Sequence, residues 1–209
     1  MNVQKKKVPQ VVLPRGFAGR VTFIFMNRGH KPIYENVAKV LKLQPEDDLL
    51  EVGCGNGYFL SKYASHVHSI AGLDLSELAI KLAGKKNKDR VAAGTAEFAQ
   101  GESSRLPWEN NKFSAASSMG SFIGFPKPLD TLKEIYRVLR PAGRAVISIE
   151  LNAEDGKDHS KEAEKYGYQI WTEADIRNMF KEARFSDVSI TYAKGLMMPK
   201  MMIASGVKL

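Results

Sequence analysis

The stretch Leu49–Leu60 constrains this chain more than any other part of it. Leu49, Leu50 and Val52 form a short apolar run of the kind a buried strand carries. Gly53, Gly55 and Gly57 interrupt that run, and an apolar, helix-compatible segment opens at Tyr58, Phe59 and Leu60. A strand that meets a helix through a glycine turn brings bare backbone N–H groups close to a ligand. The residues on either side of the turn decide which ligand that is.

Taken in order, the chain alternates strand and helix patterns. Residues 1–14 are basic and contain prolines, which predicts a loosely held terminus. Residues 15–30 are apolar without strand alternation and predict a short helix or an ordered lid. Pro32 opens a helix with Ile33, Val37, Val40 and Leu41 at helical spacing. The first strand is followed by a helix from Gly57 to about Ser65, a strand from Val67 to Asp74, and a helix capped by Ser76 that runs to the neighbourhood of Gly94. Strands are expected at Thr95–Gln100, Phe113–Met119 and Ala145–Ile149. Between the last two lies an amphipathic helix on Leu129, Leu132, Ile135, Tyr136 and Leu139, stopped by Arg140-Pro141-Ala142-Gly143. Residues 152–168 are polar and charged and predict a small helical lid. Thr172 to Asp175 read as the cap of a last helix with Ile176, Met179 and Phe180 inward. Val188–Tyr192 and Met201–Val207 predict a closing hairpin.

Strands separated by helices predict an α/β fold, a Rossmann-like three-layer α/β/α sandwich. Its sheet is seven-stranded and mostly parallel, with an antiparallel edge strand supplied by the hairpin. The length of 209 residues suits a 1–30 N-terminal arm or lid and a single 31–209 domain, and 44% hydrophobic residues suffice to cover both faces of the sheet. The single cysteine, Cys54, excludes an intrachain disulfide and fits a cytoplasmic location. No apolar run is long enough to span a bilayer, so no membrane partner is expected. The net charge of +8 admits an anionic partner, although basic surfaces are most often simply solvated. Nucleic acid is therefore the less favoured partner, and a monomer or a homodimer suits the chain. No metal ligand set is seen.

The turn itself narrows the ligand. A nicotinamide loop requires a third glycine where this chain has Tyr58, and a phosphate-cradling loop requires a Lys followed by Ser or Thr that is absent here. Instead Glu51 precedes the glycines, and a second acid, Asp74, closes the second strand, where a carboxylate can accept both hydroxyls of a ribose.

These residues resemble the class I S-adenosylmethionine-dependent methyltransferases, in the group related to small-molecule methyltransferases such as those of ubiquinone and menaquinone. The resemblance runs from about Asn27 to Ile149. Leu49–Phe59 resembles the family's glycine loop, Gly72–Ser76 its ribose-binding turn, Phe98–Trp108 its adenine-contacting segment, and Glu134–Gly143 the helix and turn before its fifth strand. Two positions depart from the pattern: Phe113-Ser114 where the family usually has Phe-Asp, and Ala142-Gly143 where it usually has two glycines.

The resemblance implies S-adenosyl-L-methionine as cofactor and S-adenosyl-L-homocysteine as its product. It implies cofactor contacts from Glu51, Gly53, Cys54, Gly55, Gly57, Asp74, Leu75, Glu102, Ser103, Ser118 and Met119. In that picture Glu51 faces the cofactor's ammonium, Asp74 the ribose and Glu102 the adenine amino group. The segment before the first strand would fold over the cofactor and bring Phe23, His30 and Tyr34 to the acceptor. His30 and Tyr34 are the candidate catalytic residues, since an unperturbed imidazole titrates near neutrality; a surface or capping histidine is an equal reading of His30. Met197, Met198, Met201 and Met202 read as core filler around the hairpin rather than walls of an acceptor pocket. The expected activity is methyl transfer to a small-molecule acceptor. The alternatives are an RNA or protein methyltransferase, or a non-catalytic cofactor-binding scaffold. The single-cysteine composition excludes thiolate chemistry on arsenic, and Ser117–Gly120 lack the Asn/Asp-Pro-Pro-aromatic motif that base-amino methylation uses.

Overall fold

The computed structural model describes residues 13–194 and 200–209. Seven strands form one sheet: β1 Asp48–Val52, β2 Ser69–Asp74, β3 Ala96–Gln100, β4 Phe113–Ser118, β5 Leu139–Ile149, β6 Ser186–Ala193 and β7 Met201–Val207. Their order is β3-β2-β1-β4-β5-β7-β6. β1 to β5 pair in parallel, and β7 lies antiparallel between β5 and β6. Eight α-helices are described: α1 Gly16–Gly29, α2 Lys31–Leu41, α3 Tyr58–Tyr63, α4 Glu77–Lys86, α5 Lys88–Ala92, α6 Pro128–Val138, α7 Ser160–Tyr166 and α8 Glu173–Glu182.

Side chains alternate across β1, and that alternation builds two cores. Leu50 and Val52 face α6 and α8, in a cluster with Leu132, Ile135, Ile176 and Phe180. Leu49 faces the other way, packed with Ile33, Val37 and Leu41 of α2 and Phe59 and Leu60 of α3. Both faces of the central strands are buried, which explains why apolar and small residues stand on both of their faces. Met201 and Met202 sit in these cores, one on each side, as filler. Met197 and Met198 lie outside the described residues.

Capping signals in the sequence act as such. Ser76 Oγ accepts from Ala79 N, and Thr172 and Asp175 form a reciprocal capping box. Two helix boundaries differ from expectation. The helix after Ser76 breaks at Asn87, whose amide group donates to Ala83 O at 3.0 Å and Gly57 O at 3.4 Å, and a separate short helix follows. α6 ends at Val138, before the Pro-Ala-Gly signal, because Leu139 is already extended and pairs with Phe113 of β4.

The two departures from the family pattern have local solutions. Ser114 Oγ donates to Asp47 Oδ1 at 2.6 Å and accepts from Asp48 N at 3.0 Å, so it ties β4 to the start of β1. Asp47 is also paired with Arg144. Ala142 adopts a left-handed φ of 61°, and its N–H donates to Lys208 O at 2.7 Å.

Candidate cofactor and acceptor site

The strand order reverses between β1 and β4. In an open parallel sheet, the crevice beyond the strand ends at that switch point is where ligands bind. A cavity of about 520 Å³ opens there. Its floor is the glycine turn after β1. Gly53 has φ +78°, and the N–H groups of Gly53 and Cys54 both donate to Leu73 O of β2, at 2.7 and 3.0 Å. A Cβ on Gly53 would lie 2.3 Å from Ser121 Oγ, so no side chain fits there.

Three carboxylates line the cavity: Glu51, Asp74 and Glu102. Asp74 Oδ2 accepts from Gly55 N at 2.8 Å and Oδ1 accepts from Ser76 N at 2.8 Å. Burial raises the Asp74 carboxyl above its ordinary range, and these N–H bonds oppose the rise. Glu51 is buried, and its Oε2 has no hydrogen-bond partner among the described residues. Desolvation, and then the Asp74 charge, push it well above the usual carboxylate range. Burial likewise raises the Cys54 thiol, assisted by Asp74 and Glu51, and keeps it neutral. Among the described residues, Lys127 is the only ammonium group on the lining. An orphaned, buried carboxylate oxygen in an acid-lined cavity suits a ligand that brings its own positive charge.

Of the residues expected at the cofactor, Glu51, Gly53, Cys54, Gly55, Asp74, Leu75, Glu102, Ser103 and Met119 line this cavity. Gly57 and Ser118 do not. Gly57 has φ +67°, and a Cβ there would lie 2.9 Å from Asn87 Nδ2 and 3.0 Å from Ala83 Cβ. Its bare backbone lets the start of α3 pack against α4. Ser118 is buried behind the lining, where its hydroxyl bonds that of Ser121 at 3.0 Å.

The opposite wall comes from the N-terminal helices and two loops. Phe23, Met26 and Asn27 of α1, His30, and Tyr34 of α2 face the cavity, as do Phe125 and Tyr168. His30 packs on the bare backbone of Gly120, where a Cβ would lie 2.7 Å from His30 Cε1. The His30 and Tyr34 rings meet edge-on at 6.0 Å. Burial lowers His30 below its ordinary value, so its imidazole is neutral at physiological pH. Burial, reinforced by the charges of Glu51 and Glu150, raises Tyr34 and keeps it protonated.

Sequence reasoning missed Asn56, Ser121, Phe125 and Tyr168 on the lining, and Glu150 behind it. Glu150 is buried at the end of β5. Its Oε1 accepts from Gly120 N at 3.0 Å and from Ser148 Oγ, while Oε2 has no partner among the described residues. Burial pushes its carboxyl up to about 7. An acid closing a central strand is the signal that singled out Asp74, and it would have found Glu150 too.

Comparison with known proteins points to one class of enzyme. Residues 50–147 match a family model described as a methyltransferase domain. The chain is 30% identical over 130 residues to demethylmenaquinone methyltransferase of Staphylococcus saprophyticus, covering 61% of this chain and 54% of that protein. It is 32% identical over 106 residues to cycloartenol-C-24-methyltransferase 1 of Oryza sativa, covering 50% of this chain and 31% of that one. The chain thus spans between about a third and about half the length of these relatives. Among solved structures, the Haloferax volcanii putative methyltransferase in complex with the Trm112 activator superposes with a TM-score of 0.79 at 19% identity, covering 91% of this chain and 94% of that one. By the match to the family model residues 50–147 form a methyltransferase domain, and the likenesses together support a class I S-adenosylmethionine-dependent methyltransferase with S-adenosylmethionine as cofactor.

Proposed function

We propose that this protein transfers a methyl group from S-adenosylmethionine to a small, largely apolar acceptor. The observation that carries the proposal is the lining of the cavity. The glycine turn and the acids Glu51 and Asp74 share it with Phe23, His30, Tyr34, Phe125 and Tyr168, and Phe23 and Phe125 stand directly over Gly55 and Gly53. Its volume falls in the range of about 300–1,000 Å³ usual for small-molecule sites. The demethylmenaquinone and cycloartenol methyltransferases it resembles also support an apolar acceptor.

In this reading Glu51 accepts from the cofactor's ammonium, and the backbone of Gly53 to Gly55 lies against its methionine end. Asp74 and Leu75 hold the ribose, and Glu102 and Ser103 hold the adenine. Met119 packs against the cofactor. When bound, S-adenosylmethionine supplies an activated methyl group, so the reactive power is the cofactor's own. The protein's task is to orient and to exclude water. Alignment of a bound nucleophile can contribute up to roughly 7–11 kcal/mol. The α1 helix and Tyr168 form part of the wall of the cavity. His30, held neutral, can take a proton from the acceptor at a ring nitrogen, and Tyr34, held protonated, can donate a hydrogen bond to it.

The test is methyl transfer from labelled S-adenosylmethionine to a lipid and metabolite extract, and separately to RNA and to protein. Label entering the small-molecule pool supports the proposal. Label entering only RNA or protein replaces it with the macromolecular reading. Cofactor binding without transfer to any pool makes the protein a binding scaffold.

A further inference from the structure

The helix that roofs the cavity has two faces of opposite character. Its inner face presents Gly19 and Phe23, both buried. Its outer face presents Phe17, Ile24 and Phe25, which are 82%, 61% and 69% exposed. Arg20 and Arg28 share that face and are exposed as well. Isolated exposed apolar residues are ordinary, but three large ones on one side of one helix form a patch that needs a partner.

Charge identifies the partner. Residues 1–34 contain seven Lys and Arg and no Asp or Glu, so they carry all but one of the net charge of +8. The chain beyond them is nearly neutral. A helix with apolar residues set among arginines, within a segment free of acids, has the composition of a helix that lies in a lipid interface. Self-association fits less well. A two-fold contact through this face would bring the same basic segment against itself, and residues 1–34 contain no acid to pair it. The patch is also continuous with the site, because Phe23 and Met26 of the same helix line the cavity and Leu75 stands exposed on its rim.

We propose that the outer face of α1 docks on an anionic lipid bilayer. The helix lies in the plane of the surface, with Phe17, Ile24 and Phe25 entering the headgroup layer and Arg20 and Arg28 meeting lipid phosphates. No described helix is long and apolar enough to cross a membrane; surface docking needs none. The docking stands apart from the methyl-transfer reading, but where both hold, the roof of the cavity faces the phase in which an apolar acceptor dissolves.

The test uses the full chain and flotation with vesicles of phosphatidylcholine containing phosphatidylglycerol, beside vesicles of phosphatidylcholine alone. Wild type is expected to float with the anionic vesicles, less so as salt rises. The triple variant F17S/I24S/F25S is expected to lose at least about tenfold in partitioning, since three large apolar side chains leave the bilayer. The pair R20E/R28E is expected to lose the preference for anionic lipid. Both variants should bind S-adenosylmethionine with unchanged affinity by calorimetry, which shows the fold and cavity intact. Failure of wild type to float with anionic vesicles overturns the proposal. So does undiminished flotation of the triple variant, which would assign lipid contact to the Lys5–Lys7 segment. A concentration-dependent dimer abolished by the triple variant, without vesicle binding, would replace lipid with a second copy of the chain.

Discussion

The carboxylate of Asp74 bridges the end of β2 to the glycine turn, its Oδ2 accepting the N–H of Gly55 at 2.8 Å while Oδ1 accepts that of Ser76. The residue expected to hold the ribose therefore also shapes the floor of the cavity. Asp74→Ala leaves both N–H groups without their acceptor. It is expected to lower stability by about 1–3 kcal/mol in urea denaturation and to weaken S-adenosylmethionine binding at least about tenfold by calorimetry. Unchanged cofactor affinity would remove Asp74 from the cofactor.

Glu51 makes a prediction whose sign differs between the free and bound protein. Its carboxyl is raised in the fold, so the stability it contributes is full below the ordinary carboxylate range and is lost as pH rises. Without cofactor, Glu51→Gln is expected to be the more stable protein at neutral pH and to match wild type at low pH. With cofactor the order reverses, because the orphaned Oε2 gains an ammonium partner. The substitution is expected to weaken S-adenosylmethionine binding about tenfold or more, as for a lost hydrogen bond to a charged group. Thermal melts with and without cofactor check both halves.

Glu150 gives a narrower pH window. Its carboxyl lies at about 7 in the fold against an ordinary value of 4.5, so wild type loses stability between those values as pH rises. Glu150→Gln keeps an acceptor for Gly120 N and removes the titration. The two proteins are expected to unfold alike at about pH 4 and to differ by up to about 3 kcal/mol at about pH 8, with the glutamine variant more stable. Parallel urea curves at both values would rule this out.

Ala142 carries a side chain in a left-handed conformation, with φ at 61°. Ala142→Gly relieves the Cβ contact, worth about 1–2 kcal/mol, against about 0.5–1 kcal/mol of added chain freedom. A net gain of about 0.5–1 kcal/mol is expected in the denaturation midpoint, with cofactor binding unaffected. A loss of stability would show that the turn carries no strain.

The parts of the site legible in the sequence are those written in local chemistry. The glycine turn, the acid at Asp74 and the cap at Ser76 each depend on neighbours a few residues away. Gly57 shows the limit of that reading. It belongs to the same glycine pattern as Gly53, but what occupies its space is Ala83 and Asn87, from a helix distant in the chain. Asn87 breaks its own helix for the same reason, through a bond to Gly57 O. Phe125 and Tyr168 come from loops with no periodicity, and only the packed sheet brings them to one cavity. The hairpin was legible as a pair of strands, but β7's insertion between β5 and β6 was not, since alternation within a strand does not name its neighbours.

That insertion bears on how the protein is made. β6 leaves the ribosome before β7, yet in the finished sheet it does not pair with β5 and pairs only with β7. Until β7 arrives, the buried apolar strand β5 keeps one row of backbone N–H and C=O groups unsatisfied, and β6 has no strand to pair with. Nascent chains of this protein therefore pass through a stage with an open, aggregation-prone sheet edge. Chaperone capture should be concentrated there, and a ribosome stalled between β6 and β7 is the place to look for it.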